Sequence, residues 1–522
     1  MPKLLEQRLR QLLASGHARL LGGGRKGLEK ESLRITTSGS IAQTPHPHAW
    51  GAPLTHPFIT TDYSESLPEF ITPAFTDVRA TVGFLEDIHR FLYQHLTQDE
   101  LLWSSSMPCA VSDDSSIPIA QYGTSNIGRM KHIYRVGLDY RYGRRMQAIA
   151  GVHFNYSLPP EFWPVYRDGE MSGVELQTFI DDSYFALIRN FKRLGWMVPF
   201  LFGNSPAVCK SFLGGRTTRF RELMRGTYYL PYATSLRMSD IGYKNKNQAA
   251  LTVSYDAVAA YVDSLQQALR TPYPEYEAIG LYDGDERIQL STNVLQIENE
   301  YYSFIRPKRI VEAGERATNA LRARGVEYVE VRALDVNTLS PIGVDIAQLF
   351  FVEAFLIFCL LEQSPPLTPA ELRSIEYNEL TVALRGRTPG LELIVNGSKR
   401  PIRAWSLEIC ERMHAICEAL DANETGSPYR DALKQQIDAI RHPETLPSAR
   451  ILDALRDGKL QFHSYAMELS TRYAADFRAQ APATEVAERF DALAAESHAQ
   501  QSALEAEQGE SLEDYITRYI TS

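Results

Sequence analysis

Three short segments of the chain carry carboxylates and a fourth carries a histidine, in patterns that could bind a divalent cation. The first, residues 27–35 (GLEKESLRI), has Glu29 and Glu31 two positions apart. On a strand, alternate side chains share a face, so both carboxylates would lie on the side of Leu33. A buried pair of this kind needs a metal ion or a basic partner, because the like charges repel. A solvated edge strand explains this segment by itself at least as well.

Two further segments combine polar side chains with short apolar runs. Residues 62–73 contain three acids at or near a hydrophobic stretch, and a surface loop explains them equally well; they are Asp62, Glu65 and Glu69. In residues 149–158, strand alternation separates an apolar face from a face that bears His153 and Asn155. That polar face fits solvent exposure and a ligand-lined cavity about equally.

The fourth segment, residues 327–335, places Glu330 and Arg332 on one strand face, about 7 Å apart. They could form a plain surface ion pair, which contributes little. Alternatively, the acid holds a metal ion while the guanidinium contacts a phosphoryl oxygen. Together the four segments predict one cavity rich in oxygen ligands, which suits hard divalent cations and a nucleotide. The glycines of residues 22–27 do not form a P-loop, because the required Lys and Ser or Thr do not follow them.

The elements that must position these residues indicate an α+β fold. Helical periodicity runs through residues 78–96, 175–201, 248–269, 310–323, 346–362, 402–420 and much of 428–508. Strand-like runs are residues 27–35, 69–72, 146–158, 291–303 and 327–335. These strands do not alternate regularly with crossover helices, which argues against a doubly wound parallel sheet. We expect a catalytic α+β core over residues 1–345 and a mainly helical part over residues 346–522, packed on that core.

Composition and charge exclude several classes of function. The chain is 44% hydrophobic and 23% charged, with a formal net charge of −10. An acidic surface repels phosphate backbones and anionic lipids, so nucleic acid and membrane surfaces are poor partners. The most apolar run, residues 347–361, contains Glu353 and is too short to span a bilayer, so we expect a buried core helix.

The cysteines and the N-terminus indicate a cytoplasmic protein. The cysteines are odd in number and scattered without a CxxC pair, at Cys109, Cys209, Cys359, Cys410 and Cys417. This usage is typical of a reducing compartment. Residues 1–21 have the charge spacing of an amphipathic helix and lack the apolar stretch of a signal peptide.

Six segments in order resemble the bacterial type of glutamate–cysteine ligase: GLEKESLRI, TTDYSESLPEFITP, IAGVHFNYSLP, TSLRMSDIGYKNK, LQIENEYYSFIRPKR and YVEVRALDVN. The resemblance is strong over residues 20–345. It implies a curved, largely antiparallel sheet that forms a funnel-like active site, similar to that of glutamine synthetase, with helices around it. It also implies ATP-dependent ligation of the glutamate γ-carboxylate to the cysteine amino group through a γ-glutamyl phosphate, the first step of glutathione biosynthesis.

The same resemblance implies roles for individual residues. Magnesium ions would be bound by Glu29, Glu31, Asp62, Glu69, His153 and Glu330. Because histidine is a softer ligand than magnesium prefers, we expect manganese to support part of the activity. Glutamate would be bound by Arg237, Asn155 and Gln147, and Arg332, beside Glu330, would face the transferred phosphoryl group. The cysteine pocket would use the rings and hydroxyls of Tyr63, Tyr134, Tyr243 and Tyr302.

The resemblance further implies a monomer with feedback inhibition by glutathione. The residues themselves leave two other functions open. One is a carboxylate–amine ligase of the same fold with another acceptor amine, and the other is a regulatory protein that binds metal and nucleotide without turnover. The presence of all six candidate metal ligands and of Arg332 argues against an inactive site.

Overall fold

An open antiparallel sheet forms the centre of the computed structural model, which describes residues 2–14, 16–216, 218–242, 251–312, 314–507 and 509–521. In chain order the strands are Arg25–Glu31 (β1), Arg34–Thr36 (β2), Ile59–Thr61 (β3), Pro68–Ile71 (β4), Glu100–Leu102 (β5), Gly151–Ser157 (β6), Ala207–Cys209 (β7), Arg221–Met224 (β8), Thr227–Tyr229 (β9), Tyr282–Asp283 (β10), Glu286–Arg287 (β11), Ile305–Lys308 (β12), Tyr328–Asp335 (β13), Glu392–Val395 (β14) and Ser398–Pro401 (β15). The central sheet has the order β12-β13-β6-β1-β4-β3, and its neighbouring strands pair antiparallel. The predicted α+β class and largely antiparallel sheet are confirmed.

Helices pack around this sheet. In chain order they are Pro2–Ala14 (α1), Val78–His95 (α2), Asn126–Tyr142 (α3), Phe162–Glu170 (α4), Leu176–Leu194 (α5), Met197–Phe202 (α6), Lys210–Leu213 (α7), Val258–Arg270 (α8), Pro274–Ile279 (α9), Ala317–Arg324 (α10), Ile346–Leu361 (α11), Pro369–Arg385 (α12), Ile402–Asp421 (α13), Pro428–Arg441 (α14), Pro447–Asp457 (α15), Phe462–Ala479 (α16), Thr484–Ala506 (α17) and Leu512–Thr521 (α18). From β1, Lys26 Nζ lies 2.7 Å from Glu353 Oε1 of α11, and Lys30 Nζ lies 3.0 Å from His89 Nε2 of α2. Because strand side chains alternate, the odd-numbered side chains of β1 lie on the opposite face.

Helix α11 is strongly apolar and buried along nearly its whole length. It begins in a capping box formed by Asp345 and Gln348. Its acid, Glu353, accepts a hydrogen bond from Tyr429 Oη at 2.7 Å. The buried core helix predicted in residues 347–361 is therefore confirmed. Among the helices of the described ranges, none is both long enough and apolar enough to cross a lipid bilayer.

The C-terminal part is mainly helical and contains one hairpin, formed by β14 and β15. Helix α11 packs against α5 as well as against α13 and α14. One hydrophobic core contains side chains from both sides of residue 345, including Phe191 and Phe355, whose ring centroids are 5.7 Å apart. The division of the chain at residue 345 stays a prediction.

Two predicted helices begin later in the structure than their periodicity indicates. Within residues 248–269, the backbone at Ala257 is still extended, and α8 begins after it; residues 243–250 lie outside the described ranges. Within residues 310–323, α10 starts only at Ala317. Gly314 precedes it with φ of +77°, a left-handed conformation that a helix does not contain.

Three other predicted elements are divided or shortened. Residues 175–201 form α5 and α6 rather than one helix, and Gly195 is the C-cap between them. Residues 27–35 form β1 and β2, which pair with different partners. In residues 146–158, a 3₁₀ turn comes first and the strand begins at Gly151.

The predicted strand at residues 291–303 is wrong. The segment is irregular and contains a 3₁₀ turn at Glu298–Glu300. Gln296, Glu298 and Glu300 of this segment are buried and bonded to neighbouring groups. Gln296 Oε1 accepts a backbone N–H at 3.0 Å, and Glu298 pairs with Arg316 at 3.0 Å. These side-chain bonds take the place of a ladder between strands.

Cys109 and Cys209 form a disulfide that the sequence analysis did not predict. They are 100 residues apart in the chain, and the fold brings their Cα atoms to 5.4 Å. The free cysteines of the described residues are all buried; they are Cys359, Cys410 and Cys417. Scattered spacing therefore did not exclude pairing, and cysteine usage gives no support for a reducing compartment.

Candidate active site

The register of the central sheet brings the predicted metal ligands together. Glu29 of β1 lies directly across from His153 of β6, and Glu31 lies across from Glu69 of β4. Glu330 comes from β13, the strand on the other side of β6. Because all of these side chains lie on the sheet face opposite α2 and α11, alternation along each strand is sufficient to collect them.

His153 is the centre of this cluster. Its Nδ1 lies 3.1 Å from Glu29 Oε2 and 3.4 Å from Glu330 Oε1. Its Nε2 lies 3.8 Å from Glu31 Oε1. Ligand atoms of Glu29, Glu69 and His153 all lie within 4.8 Å of one another. Burial and the Arg332 charge oppose protonation of His153, but its bonds to Glu29 and Glu330 outweigh them and raise its pKa.

Cations gather at one side of the cluster, around Glu330. Arg332 Nη1 donates to Glu330 Oε1 at 2.9 Å, and Lys308 Nζ lies 3.7 Å from Glu330 Oε2. Burial works against ionisation of Glu330, but the charges of Lys308 and Arg332 outweigh it and hold its pKa well below the usual value. The predicted shared face of Glu330 and Arg332 is confirmed by this contact.

Carboxylates predominate at the other side. Burial, followed by the charge of Asp62, raises the pKa of Glu31 to about 7. Burial and the neighbouring acids, Glu29 first, raise the pKa of Glu69 well above its usual value. Glu31 is also fixed by the Gly151 N–H, which donates to Oε2 at 2.6 Å. The negative charges of these clustered carboxylates repel one another. Together with one imidazole, they form a donor set that fits a hard divalent cation.

These side chains line a cavity of about 270 Å³. Most of the residues predicted for the site reach it: Glu29, Glu31, Asp62, Tyr63, Glu69, Tyr134, Gln147, His153, Tyr302, Glu330 and Arg332. The carboxylates come from the sheet and from the segment between β3 and β4, whereas Tyr134 comes from α3. The cavity therefore has an acidic side whose carboxylates could hold a metal ion and a wall that carries tyrosines.

Two of the predicted residues that the structure describes do not line this cavity, and a third lies outside the described ranges. Asn155 lies beside it and donates from Nδ2 to Glu29 Oε1 at 2.8 Å. Arg237 is buried, and its charge acts on two lining residues, Glu31 and Tyr302. Tyr243 lies outside the described residues. The substrate-binding roles of all three stay predictions.

Several lining residues were missed from the sequence: Arg135, Leu138, Tyr142, Met146, Asn299, Glu300, Arg306 and Lys308. Arg306 and Lys308 alternate on β12, and Arg306 lies across from Glu330 in the register. Their spacing of two was the available signal, but the strand was predicted at residues 291–303 instead. Arg135 follows Tyr134 on α3, and its Nη1 and Nε bond backbone carbonyls, including that of Asp62.

Comparison with known proteins agrees with this geometry. A family model described as glutamate-cysteine ligase matches residues 9–382. A glutamate–cysteine ligase from Azotobacter vinelandii is 48% identical over 525 residues, covering 100% of this chain and 99% of that protein. One from Alcanivorax borkumensis is 45% identical over 523 residues, covering 99% of both. A crystal structure of a glutamate–cysteine ligase from Francisella tularensis in complex with AMP is 35% identical, has a TM-score of 0.90, and covers 96% of this chain and 98% of that chain.

Proposed function

The chain belongs to the glutamate–cysteine ligase family, and we propose that the cavity around His153 is where it carries out the reaction. It is an ATP-dependent ligase that joins the γ-carboxylate of glutamate to the amino group of cysteine and gives γ-glutamylcysteine, the first step of glutathione biosynthesis. The observation that supports this location is the convergence of carboxylates, His153, Arg332 and Lys308 in one cavity. Phosphoryl transfer needs both metal ligands and fixed cations, and both kinds of group are present there.

Magnesium is the metal that this donor set favours. We assign Glu29, Glu31, Asp62, Glu69, His153 and Glu330 as its ligands, as the family resemblance implies. Bound magnesium would neutralise the charge that builds up on the phosphate oxygens. Because one ligand is an imidazole, manganese is expected to substitute in part.

Arg332 and Lys308 are proposed to receive the transferred phosphoryl group. Arg332 is held by Glu330 at 2.9 Å, which leaves its other N–H groups available in a fixed plane. Lys308 lies on the opposite side of the same carboxylate, 3.7 Å away. Glu330 would thus position two cations at once, and neither would have to reorganise as charge develops in the transition state.

The amino acids are proposed to bind on the side of the cavity away from Lys308. Gln147 lines the cavity and is expected to contact glutamate together with Asn155 and Arg237. Tyr63, Tyr134, Tyr243 and Tyr302 are expected to contain the cysteine side chain. Tyr63 is buried and Tyr134 is half-buried, and burial raises the pKa values of both far above the usual one, so their hydroxyls stay protonated as hydrogen-bond donors.

The reaction requires activation of a carboxylate before an amine can attack it. The γ-carboxylate of glutamate accepts the terminal phosphoryl group of ATP, which releases ADP and leaves an acyl phosphate. The cysteine nitrogen then forms the amide bond, phosphate departs with the bonding electrons, and the amine loses a proton. No covalent enzyme intermediate is needed, in keeping with the burial of Cys359, Cys410 and Cys417 away from the cavity.

We also infer a cytoplasmic monomer that is inhibited by glutathione. ATP, glutamate and cysteine are cytoplasmic metabolites, and glutathione shares the γ-glutamylcysteine portion of the product. The Cys109–Cys209 disulfide would then have to persist among cellular thiols. Both cysteines are buried, with 2% and 5% of their surface exposed, which hinders attack by a thiolate.

ADP release by the purified protein tests the proposal directly. The assay contains ATP, magnesium and glutamate, with and without cysteine, and the mass of the product is recorded. Cysteine-dependent ADP release with the mass of γ-glutamylcysteine is the expected result. Turnover with another amine but none with cysteine would keep the fold and replace the acceptor, and ATP binding without turnover on any amine would indicate a regulatory protein.

A further inference from the structure

The guanidinium of Arg237 is held in a buried position at one end of the central sheet. Only 1% of the residue is exposed. Its Nη2 donates to the backbone carbonyl of Arg332 at 3.1 Å, and its Nη1 approaches Met238 Sδ at 3.0 Å. Tyr302 Oη donates to the same sulfur at 3.1 Å. Arg237 therefore lies directly behind a wall of the cavity, next to the strand that carries Arg332.

Gly151 lies directly against this guanidinium. A Cβ atom at residue 151 would collide with Nη2, Cζ and Nε of Arg237. The guanidinium thus lies against bare backbone at the start of β6, where no other residue type leaves room. The N–H of Gly151 also donates to Glu31. Gly151 therefore lies between the guanidinium of Arg237 and one of the proposed metal ligands.

Asp335 also lies near this guanidinium and is fully buried at the end of β13. Its Oδ2 accepts from Asn204 N and from Ser205 Oγ, both at 2.7 Å. Its Oδ1 accepts from Ser235 Oγ at 2.8 Å and lies 4.0 Å from Arg237 Nη1. One carboxylate therefore ties two separate loop segments, at residues 204–205 and 235–237, to the strand that carries Glu330.

A further bond connects these loops to Arg237 itself. The backbone N–H of Arg237 donates to Ser205 Oγ at 3.2 Å, and that hydroxyl in turn donates to Asp335. Both the backbone and the guanidinium of Arg237 are thus located by Asp335, through a hydroxyl and through charge. Within a buried site, such a network holds a side chain in one place more firmly than a single ion pair does.

We propose that Asp335 is a positioning residue that fixes Arg237 behind the cavity wall, where its positive charge attracts the α-carboxylate of the glutamate substrate. This inference rests on the proposed function and adds a specificity element to it. Glutamate carries two carboxylates, of which the γ-carboxylate accepts the phosphoryl group. A fixed cation at the other end of the substrate selects molecules that have the α-carboxylate. A substrate without this group would leave the buried guanidinium without an anion and would therefore bind less tightly.

The experiment compares glutamate with 4-aminobutyrate, which has the same γ-carboxylate and amine but no α-carboxylate. In Asp335→Asn, we expect KM for glutamate to rise about tenfold or more and the preference for glutamate over 4-aminobutyrate to fall by a similar factor. KM values for ATP and cysteine should stay within about twofold of wild type. An unchanged preference between the two substrates would overturn the proposal, whatever happens to overall activity.

Two further variants keep the test decisive. Ser235→Ala removes one bond to Asp335 without removing its charge, so a smaller rise in KM for glutamate is expected; it replaces Asp335→Asn if that variant does not fold. Glu353→Gln changes another buried carboxylate, behind the sheet, and should leave the preference between the substrates unaltered. A change of preference in Glu353→Gln would show a general loss of structure and contradict the inference.

The same data separate this inference from the proposed function. If wild type shows no glutamate-dependent release of ADP, the proposed function fails first. If wild type turns over glutamate and cysteine but Asp335→Asn and Ser235→Ala discriminate against 4-aminobutyrate as wild type does, the function stands and Asp335 is structural only.

Discussion

Two carboxylates of the candidate site, Glu31 and Glu330, have opposite electrical surroundings although both are buried on one sheet face. Glu330 faces Lys308 and Arg332, whose charges outweigh burial and hold its pKa well below the usual value. Glu31 faces Asp62 and is held less firmly in the charged form. The candidate site is thus polarised, with cations on one side and excess negative charge on the other.

Glu330→Gln should fold normally and lose turnover by on the order of 100-fold, since one charge is removed from the group that orients Arg332 and Lys308. Glutamine keeps an acceptor for the Arg332 hydrogen bond, so the melting temperature should change little. Steady-state kcat and thermal unfolding measure the two effects.

The matched control for that variant is Glu327→Gln, just before the same strand. Glu327 Oε2 accepts from the backbone N–H of Ile310 at 3.2 Å and does not line the cavity. Its substitution should leave kcat unaltered. Equal activity in Glu330→Gln and wild type would remove Glu330 from the site.

At this scale, alternation along single strands was enough to predict much of the cavity. Glu29 and Glu31 share a face with His153 because the side-chain period of a strand is two. Arg306 and Lys308 were missed although they also alternate with a spacing of two, because the segment before them looked more like a strand than their own did. Which of two neighbouring polar segments joins a sheet depends on the buried partners that each finds, and these are not visible in local sequence.

Among the elements, α3 connects the cavity to the C-terminal end of the chain. It carries Tyr134 and Arg135, and its outer side packs against α18 in a small separate core with Met130, Ile133, Leu290 and Ile516. Glu513 of α18 forms an ion pair with Arg287, and the Ile520 carbonyl accepts from Arg316. Helix α18 therefore packs against α3 and restrains the helix that places Tyr134 in the cavity.

Ile516→Ala should weaken the packing of α18 against α3. Ile516 is completely buried, and truncation of a buried isoleucine costs about 3 kcal/mol. We expect faster amide hydrogen exchange in α3 and a higher KM for cysteine, while exchange in the central sheet stays slow. Thr517→Ala, at an exposed position of the same helix, is the control. Unchanged exchange in α3 would show that α18 does not restrain it.

The Cys109–Cys209 bond connects two other elements, the segment after β5 and the end of β7. Closing a loop of 100 residues in the unfolded chain is worth about 5 kcal/mol in the chain-entropy account. Reductant should therefore lower the free energy of unfolding of wild type by up to this amount, as measured by urea denaturation. The Cys109→Ser, Cys209→Ser double variant should be less stable and insensitive to reductant, and a wild type unaffected by reductant would exclude the bond in solution.

Over the whole molecule, the C-terminal helices return to the N-terminal part at a cluster of histidines. Ser497 of α17 accepts from the backbone N–H of Ala52 at 2.9 Å and from the Thr55 hydroxyl through its own carbonyl at 2.6 Å. The rings of His48 and His498 stack with centroids 4.0 Å apart. Such contacts between distant parts of the chain were not accessible from periodicity, which predicted the helices but not where they dock.

His56 makes this junction sensitive to acid. Its Nδ1 accepts from the backbone N–H groups of Phe58 and Ile59, at 3.1 and 2.9 Å, so the imidazole must be neutral in the folded protein. Burial, and then the nearby His498, lower its pKa to about 4. Since the unfolded chain protonates near pH 6.5, the stabilisation is complete above that pH and is lost as pH falls toward 4.

Acidification from pH 7.5 to 5 should accordingly remove about 2 kcal/mol of stability through His56 alone. His56→Asn provides the test, because its side-chain oxygen can accept the same N–H groups but does not titrate. Urea denaturation at both pH values should show a variant that is slightly less stable than wild type at pH 7.5 and equal or more stable at pH 5. Groups remote from this junction titrate equally in both proteins, so the difference between them reports on His56 and on the neighbouring His46, whose pKa the His56 charge lowers. If the two proteins lost the same stability on acidification, the junction would not depend on a neutral His56, and acid would have to act on the fold elsewhere.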